Sequence, residues 1–160
     1  MNEAAVRKQE DDVADALAKG ARLIVGGKRH KVGPLFFQPT LLADVPHDAL
    51  IFREETFGPI AVIAAFDTED EALTRANQTE YGLAAAVISP NVGRAMALGE
   101  RLKTGMLHIN DQTVGDDPSV PFGGRGASGN GGRHGGPANW EEFTQWQWVT
   151  IKDSAPRYPF

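Results

Sequence analysis

The feature that most constrains this chain is an alternation of apolar and amphipathic segments between residues 60 and 109. Apolar runs occupy residues 60–66, 83–88 and 106–109, and the segments at 69–77 and 92–102 place their apolar side chains at helical spacing. Strands that are apolar on both faces are typical of a parallel sheet covered on two sides. The pattern therefore predicts a three-layer α/β fold built on a parallel βαβαβ core.

The segment before this core predicts one helix and two extended pieces. A helix with a narrow apolar stripe is expected at residues 9–18, and a short strand at 23–25. A second extended piece at 36–42 follows Pro34 and contains Pro39. Because proline donates no backbone hydrogen bond, we expect this piece at a sheet edge or in an irregular run.

The composition changes after the core. Residues 111–137 are rich in glycine and proline, which predicts a long loop, and long loops in compact domains are usually functional. Residues 124–129 match the G-x-G-x-x-G spacing of dinucleotide-binding turns. That motif requires a strand before it and a helix inside it, and neither is predicted here, so we interpret it as part of the loop. A short helix at 138–143 and a strand at 144–151 are expected to follow.

Composition excludes several functional classes. The 160 residues suit one domain, and 16 Lys and Arg against 21 Asp and Glu give a net charge of −5, which argues against a nucleic-acid surface. There is no cysteine, so the chain offers no disulfide, thiolate metal site or cysteine nucleophile. The four histidines are far apart, which makes a zinc site improbable. We expect no membrane span and a cytoplasmic location.

A short acidic and aromatic motif marks the entry to the first core strand, at residues 54–59. A carboxylate beside an aromatic ring there can accept hydrogen bonds from a diol and offer a flat apolar face to another ring. The alternative is an ordinary solvated acidic loop, because most surface glutamates have no specific role.

The final predicted strand raises a second open question. Trp146 and Trp148 are two residues apart and would share one face of that strand. Their burial in the chain's own core and their burial in an oligomer interface both fit the pattern. Ser128 lies in a glycine-rich context with no histidine near it in sequence, so it is not expected to be a nucleophile.

Taken together, these segments resemble the C-terminal part of an NAD(P)-dependent aldehyde dehydrogenase. The matching motifs occur in the family's order and cover nearly the whole chain: 19–22 with 26–27, 38–40, 54–59, 76–84, 105–110, 121–124 and 128–129. Residues 109–113, 126–131 and 147–149 resemble the benzaldehyde and vanillin dehydrogenase branch. The resemblance implies the fold of the aldehyde dehydrogenase catalytic domain and, for the complete enzyme, the oxidation of aromatic aldehydes.

The resemblance also implies roles for four side chains. Glu55 would bind the hydroxyl groups of the nicotinamide ribose, and Phe57 would pack beside the nicotinamide. Val114 and Phe122 would line the aldehyde tunnel. Glu54 fits a structural role better, and no catalytic residue or metal ligand is assigned.

In the family the cysteine nucleophile, the general-base glutamate and the nucleotide-binding domain lie upstream of this region. We therefore expect a partial catalytic domain at residues 1–143 and an oligomerisation strand and tail at 144–160. Alone, the chain is expected to be inactive and to bind neither NAD nor NADP tightly, and to form a homo-oligomer or associate with the missing N-terminal part. The alternative is a non-catalytic oligomerisation or interaction module derived from the family.

Overall fold

The computed structural model describes residues 1–157, in which helices and strands alternate through the middle of the chain. The α-helices are α1 (Glu3–Ala18), α2 (Glu69–Ala76), α3 (Val92–Gly99) and α4 (Ala138–Phe143), and a short 3-10 helix spans Leu50–Phe52. The strands are β1 (Arg22–Val25), β2 (Thr40–Ala43), β3 (Ile60–Ile63), β4 (Tyr81–Gly82), β5 (Ala84–Val87), β6 (Met106–Ile109) and β7 (Arg125–Gly126). The predicted α/β class is confirmed.

Helix α1 begins at Glu3, well before the predicted start at residue 9. The side chain of Asn2 caps it by accepting a hydrogen bond from the Ala5 N–H at 2.8 Å. The buried stripe of the helix includes the polar residues Gln9 and Asp12. Of residues 3–8 only Val6 is buried, so no apolar period marks the beginning of the helix, and its first six residues were missed.

An arginine fixes α1 to the connection between β1 and β2. The guanidinium of Arg29 contacts the carboxylate of Glu10 at 2.8 Å and that of Glu3 at 2.8 Å. The hydrogen bond from Arg29 is the largest cause of the low pKa of Glu3, about 2. One side chain thus holds the helix at two points that are about two turns apart.

The first sheet has the order β1-β2-β3. Strand β2 pairs antiparallel with β1 and parallel with β3, with Thr40 opposite Ile60. Of the two expectations for this segment, a sheet edge was wrong, because β2 is the central strand, while residues 36–39 before it form an irregular run. Pro39 immediately precedes β2 and so takes no donor away from its ladder.

The hydrophobic core lies between α1 and the first sheet. Its buried members come from α1, β2 and the segments around them: Val6, Val13, Ala16, Ala21, Phe37, Leu42, Val45 and Ala49. Ile60 and Val62 of β3 pack against this cluster. The first third of the chain therefore contains most of the buried apolar surface.

A second, separate sheet pairs β5 with β6 in parallel, with Ala84 opposite Met106. Helix α3 packs against both strands, and Gly99 lies so close to Leu107 that a Cβ there would be 2.5 Å from its Cδ2. Among the described residues β3 and β5 do not pair, so the predicted continuous βαβαβ sheet was wrong in this respect. Each of the two strands has a single hydrogen-bonded neighbour.

The apolar strands are also less covered than a doubly covered sheet requires. Ile63 is 51% exposed, Leu83 40% and Ile88 73%. Burial alternates along β3 and is only partial along β5 and β6. A sequence that is apolar on both faces therefore meets solvent on part of its surface in the single chain.

The glycine-rich segment is an ordered loop with a few short pairings. Within it β7 pairs antiparallel with β4, and Phe122 forms a bridge with His134. Gly105 lies directly under this loop, where a Cβ would overlap the carbonyl oxygen of Gly123. The G-x-G-x-x-G spacing at 124–129 contains β7 and no helix, as predicted.

The C-terminal segment departs from expectation. Helix α4 forms where predicted, but no strand is assigned at residues 144–151. Trp146 and Trp148 are 80% and 91% exposed, so their burial in the chain's own core was wrong. A strand needs a neighbour for its backbone groups, and none of residues 1–157 provides one here. Across the same described residues, no helix has the length and apolar character needed to cross a membrane.

Candidate functional site

The loop of residues 54–58 links the 3-10 helix to β3 and is pinned at both ends by backbone hydrogen bonds. At its start, the Glu54 N–H donates to the carbonyl of Leu50 at 2.9 Å. At its end, the carbonyl of Pro59 accepts from the Thr40 N–H of β2 at 2.8 Å. The loop therefore has a fixed position relative to the first sheet.

Helix α1 supports the same loop through its side chains. Lys8 Nζ contacts Glu54 Oε2 at 2.9 Å and Asp12 Oδ1 at 2.8 Å. Burial lowers the pKa of Lys8, but the hydrogen bonds to Asp12 and Glu54 outweigh it, so the pKa is raised overall. Glu54 thus forms an ion pair with the helix, a contact that suits a structural residue.

The structure places Glu55 on the wall of a cleft of about 460 Å³. The cleft is also lined by β4, β5 and polar side chains that include Lys103 and Ser128. Glu55 itself is exposed, so its carboxylate can accept hydrogen bonds from a ligand without breaking an internal contact. The cleft is open to a ligand with hydroxyl groups.

Phe57 presents its ring to solvent, with 76% of the residue exposed. Its carbonyl oxygen, in contrast, accepts a hydrogen bond from Gln9 Nε2 at 3.2 Å. The backbone of Phe57 is fixed while its ring remains available for stacking. Phe57 does not line the cleft of Glu55, so the two side chains are neighbours on one loop without sharing that cavity.

The two predicted tunnel residues lie in the glycine-rich loop but in different surroundings. Val114 is 75% exposed and lines neither of the cavities beside the loop. Phe122 lines a cavity of about 200 Å³ together with His108 of β6 and Asp116. The ring of Phe122 lies 5.0 Å from that of His134, measured between centroids. The structure brings Phe122 to a pocket and leaves Val114 on the surface beside it.

Sequence reasoning missed the role of α1 in this site. Lys8 lay just before the predicted helix and Gln9 was not part of its apolar stripe, and only the folded structure reveals their contacts with the loop. Ser128 was rejected as a nucleophile, and its hydroxyl instead accepts a hydrogen bond from the Gly82 N–H at 3.1 Å. Within residues 1–157, no group of three or more His, Asp or Glu side chains is placed to hold a metal ion.

Comparison with known proteins gives the chain its family. The sequence profile of the aldehyde dehydrogenase family matches residues 1–149. The chain is 43% identical over 160 residues to a benzaldehyde dehydrogenase [NAD(+)] of Pseudomonas putida, covering all of this chain and 32% of the relative. It is 45% identical over 147 residues to a vanillin dehydrogenase of Pseudomonas fluorescens, covering 92% of this chain and 30% of the relative. The chain thus spans about a third of the length of the curated relatives it matches.

Solved structures agree. A succinate-semialdehyde dehydrogenase from Burkholderia pseudomallei superposes with a TM-score of 0.80 at 48% identity, over 84% of this chain and 28% of the other. An aldehyde dehydrogenase of Mycobacterium tuberculosis in complex with NAD+ gives 0.83 at 38% identity, over 90% and 30%. The α/β fold is therefore that of part of these enzymes, and the chain belongs to the aldehyde dehydrogenase family.

Proposed function

We propose that this chain forms the C-terminal part of an NAD(P)-dependent aldehyde dehydrogenase that oxidises aromatic aldehydes to carboxylic acids. The family match over residues 1–149 supports the reaction type. Similarity to benzaldehyde and vanillin dehydrogenases supports the aromatic substrate. A cytoplasmic location remains a prediction from the sequence.

In this proposal the loop at 54–58 contacts the cofactor. Glu55 offers an exposed carboxylate that would accept hydrogen bonds from the ribose hydroxyls, and Phe57 offers an exposed ring that would pack beside the nicotinamide. These groups fit the nicotinamide end of the cofactor, which accepts hydride in the reaction. The single observation behind this assignment is that the loop backbone is pinned while both side chains remain accessible.

Phe122 and Val114 would line the aldehyde tunnel. Phe122 offers an aromatic wall to a cavity of about 200 Å³, which suits the flat face of an aromatic aldehyde. Val114 would complete the lining from the exposed part of the loop once an aldehyde or another chain covers it.

The catalytic thiolate must come from elsewhere, because the 160 residues contain no cysteine. The family's chemistry needs a cysteine thiolate to attack the aldehyde carbon. We therefore propose that the chain is inactive alone and binds NAD or NADP only weakly. It would become active with a polypeptide that carries the family's cysteine and nucleotide-binding domain.

A complementation assay tests this proposal. Benzaldehyde and NAD+ are added to the purified chain, alone and mixed with such a polypeptide, and NADH formation is followed. We expect NADH only in the mixture. In that mixture Glu55→Gln should raise the KM for NAD+ about tenfold, the cost of a weakened hydrogen bond to a charged group.

Glu141→Gln is the matched control, because Glu141 is an exposed carboxylate on α4, away from the cleft. It should leave the KM unchanged. NADH formation by the purified chain alone would overturn the proposal that another polypeptide supplies the catalytic thiolate. An unchanged KM in Glu55→Gln would remove Glu55 from the cofactor site.

A second candidate function is a non-catalytic oligomerisation module. The exposure of Trp146, Trp148 and Ile151, at 80%, 91% and 89%, favours it. Large apolar side chains that are exposed in a single chain commonly mark a surface that a partner covers in the assembly. Self-association without any complementation would favour this candidate over the first.

A further inference from the structure

Two adjacent residues of α1 hold the two ends of the loop at 54–58. Lys8 forms an ion pair with Glu54 at the beginning of the loop, at 2.9 Å. Gln9 donates a hydrogen bond to the carbonyl of Phe57 near its end, at 3.2 Å. The helix therefore contacts the loop on both sides of Glu55.

Gln9 is only 1% exposed, which is unusual because most glutamine side chains face solvent. Its Oε1 is buried and has no hydrogen-bond partner among the described residues. Burying an amide oxygen without a partner is costly, whereas an apolar side chain would pack there without that cost. Within the part of the chain that the structure describes, the hydrogen bond to Phe57 is the one polar contact that accounts for an amide at this position.

Gly58 fits against the same amide. A Cβ at Gly58 would overlap the side chain of Gln9, coming within 2.7 Å of Nε2 and closer still to Cδ and Oε1. A side chain at Gly58 would therefore displace either the Gln9 amide or the loop. The amide of Gln9 and the backbone of Phe57 and Gly58 are packed as one unit.

We propose that Gln9 is a positioning residue for the cofactor contact: it fixes the Phe57 backbone and so sets where the Phe57 ring and the Glu55 carboxylate are presented. This inference rests on the proposed function for its meaning, since the cofactor is what the two side chains would meet. The positioning itself is a property of the unliganded chain, so it is measured in an experiment without cofactor.

The first experiment uses the full chain without ligand. Fluorophenylalanine is incorporated, and the Phe57 resonance is assigned with Phe57→Leu. Gln9→Met removes the amide donor at nearly constant volume, and Gly58→Ala pushes the loop away from Gln9. In both variants we expect the Phe57 signal to move toward its position in the unfolded chain and the backbone amides of residues 55–58 to gain mobility.

Two controls separate positioning from general destabilisation. Val13→Ala leaves a cavity in the same helix, since Val13 is buried in the core. Gly33→Ala adds a methyl group whose nearest neighbour would be Phe36 Cδ2 at 3.5 Å, an ordinary van der Waals contact. Both should leave the Phe57 signal in place. If Gln9→Met does not fold, Gly58→Ala tests the same contact from the loop side. A Phe57 signal that Gln9→Met and Gly58→Ala move no more than Val13→Ala overturns the proposal.

The second experiment adds NAD+ and follows the backbone amides of Glu55 and Phe57. In the wild type, titrating shifts at these positions support the proposed cofactor contact. Gln9→Met should then raise the apparent Kd about fivefold, as expected if the loop holds its binding position in about a fifth of the molecules. An unchanged Kd in Gln9→Met would overturn the link to the cofactor. If the wild type shows no shift, the proposed contact fails in this chain, while the unliganded experiment still decides whether Gln9 positions the loop.

Discussion

At the scale of single residues, Arg29 is the side chain with the clearest measurable consequence. It binds the carboxylates of Glu3 and Glu10, and the pKa values of both are lowered, with the hydrogen bond from Arg29 as the largest cause. A carboxyl group with a depressed pKa in the folded state stabilises the fold above its ordinary pKa. That stabilisation is lost as the pH falls.

For Glu3 the relevant window runs from the ordinary value of 4.5 down to about 2. We expect the free energy of unfolding to decrease as the pH falls through this window, and to decrease less steeply in Glu3→Gln. Urea unfolding at a series of pH values measures both slopes. Asp11→Asn, on the exposed side of the same helix, should keep the wild-type slope. Equal slopes in the wild type and Glu3→Gln would show that Arg29 gives Glu3 no net preference for its charged form.

Residues also mark where the sequence was informative about the site and where it was not. Glu55 and Phe57 stood out because a carboxylate and a ring adjoin a strand, and their roles remain predictions. Gln9 and Asp12 gave no signal, since a buried polar residue on a helix looks like a solvent-facing one until its partner is known. Asp12 contacts Lys8 of the same helix, whereas the partner of Gln9 is the carbonyl of Phe57, in a distant part of the chain that no local pattern connects to Gln9.

At the scale of elements, local patterns located most helices and strands, while pairing was harder to predict. Helices α2 and α3 begin at the predicted residues because Thr68 and Asn91 cap them with side-chain hydrogen bonds. Strand β2 was misplaced because Pro39 reads as a sheet-edge signal, although it lies just outside the ladder. The separation of β3 from β5 could not be predicted, because apolar composition does not name the neighbour of a strand.

The crossing of Gly105 and Gly123 gives an element-scale prediction. Gly105→Ala places a methyl group on the Gly123 carbonyl and should displace the glycine-rich loop from β6, costing about 2 kcal/mol of unfolding free energy. Gly93→Ala in α3 is the matched control, because its nearest contact is Asn91 at 3.5 Å. It should be neutral or stabilise by about 0.5 kcal/mol. Thermal unfolding compares the two, and equal stability would contradict the close crossing.

At the scale of the whole molecule, apolar surface is unevenly distributed. The core cluster lies with α1 and the first sheet, whereas the strands of the second sheet and the C-terminal segment remain partly or largely exposed. Such a distribution is typical of a surface that other polypeptide segments cover. This feature supports both the complementation proposal and the oligomerisation candidate.

Self-association through the C-terminal segment is the corresponding prediction. The whole chain should form a dimer or larger assembly by light scattering after size exclusion, because none of residues 1–157 pairs with residues 144–151 and another chain can supply the missing strand. A chain that ends at Phe143 should form an assembly with fewer copies. Trp146→Ser with Trp148→Ser keeps the length and should weaken assembly in the same direction. A wild-type monomer would contradict the prediction, and an assembly unaffected by these changes would place the interface elsewhere.

The glycine crossing under the loop has one more consequence. Gly105 precedes β6, and Gly123 follows Phe122, the last residue that lines the small cavity, so the two ends of this stretch meet at one point. A loop whose ends already touch can be lengthened or shortened at little entropic expense. Libraries that insert or delete residues between 111 and 121 would therefore sample new shapes of this cavity while the strands around it stay in place.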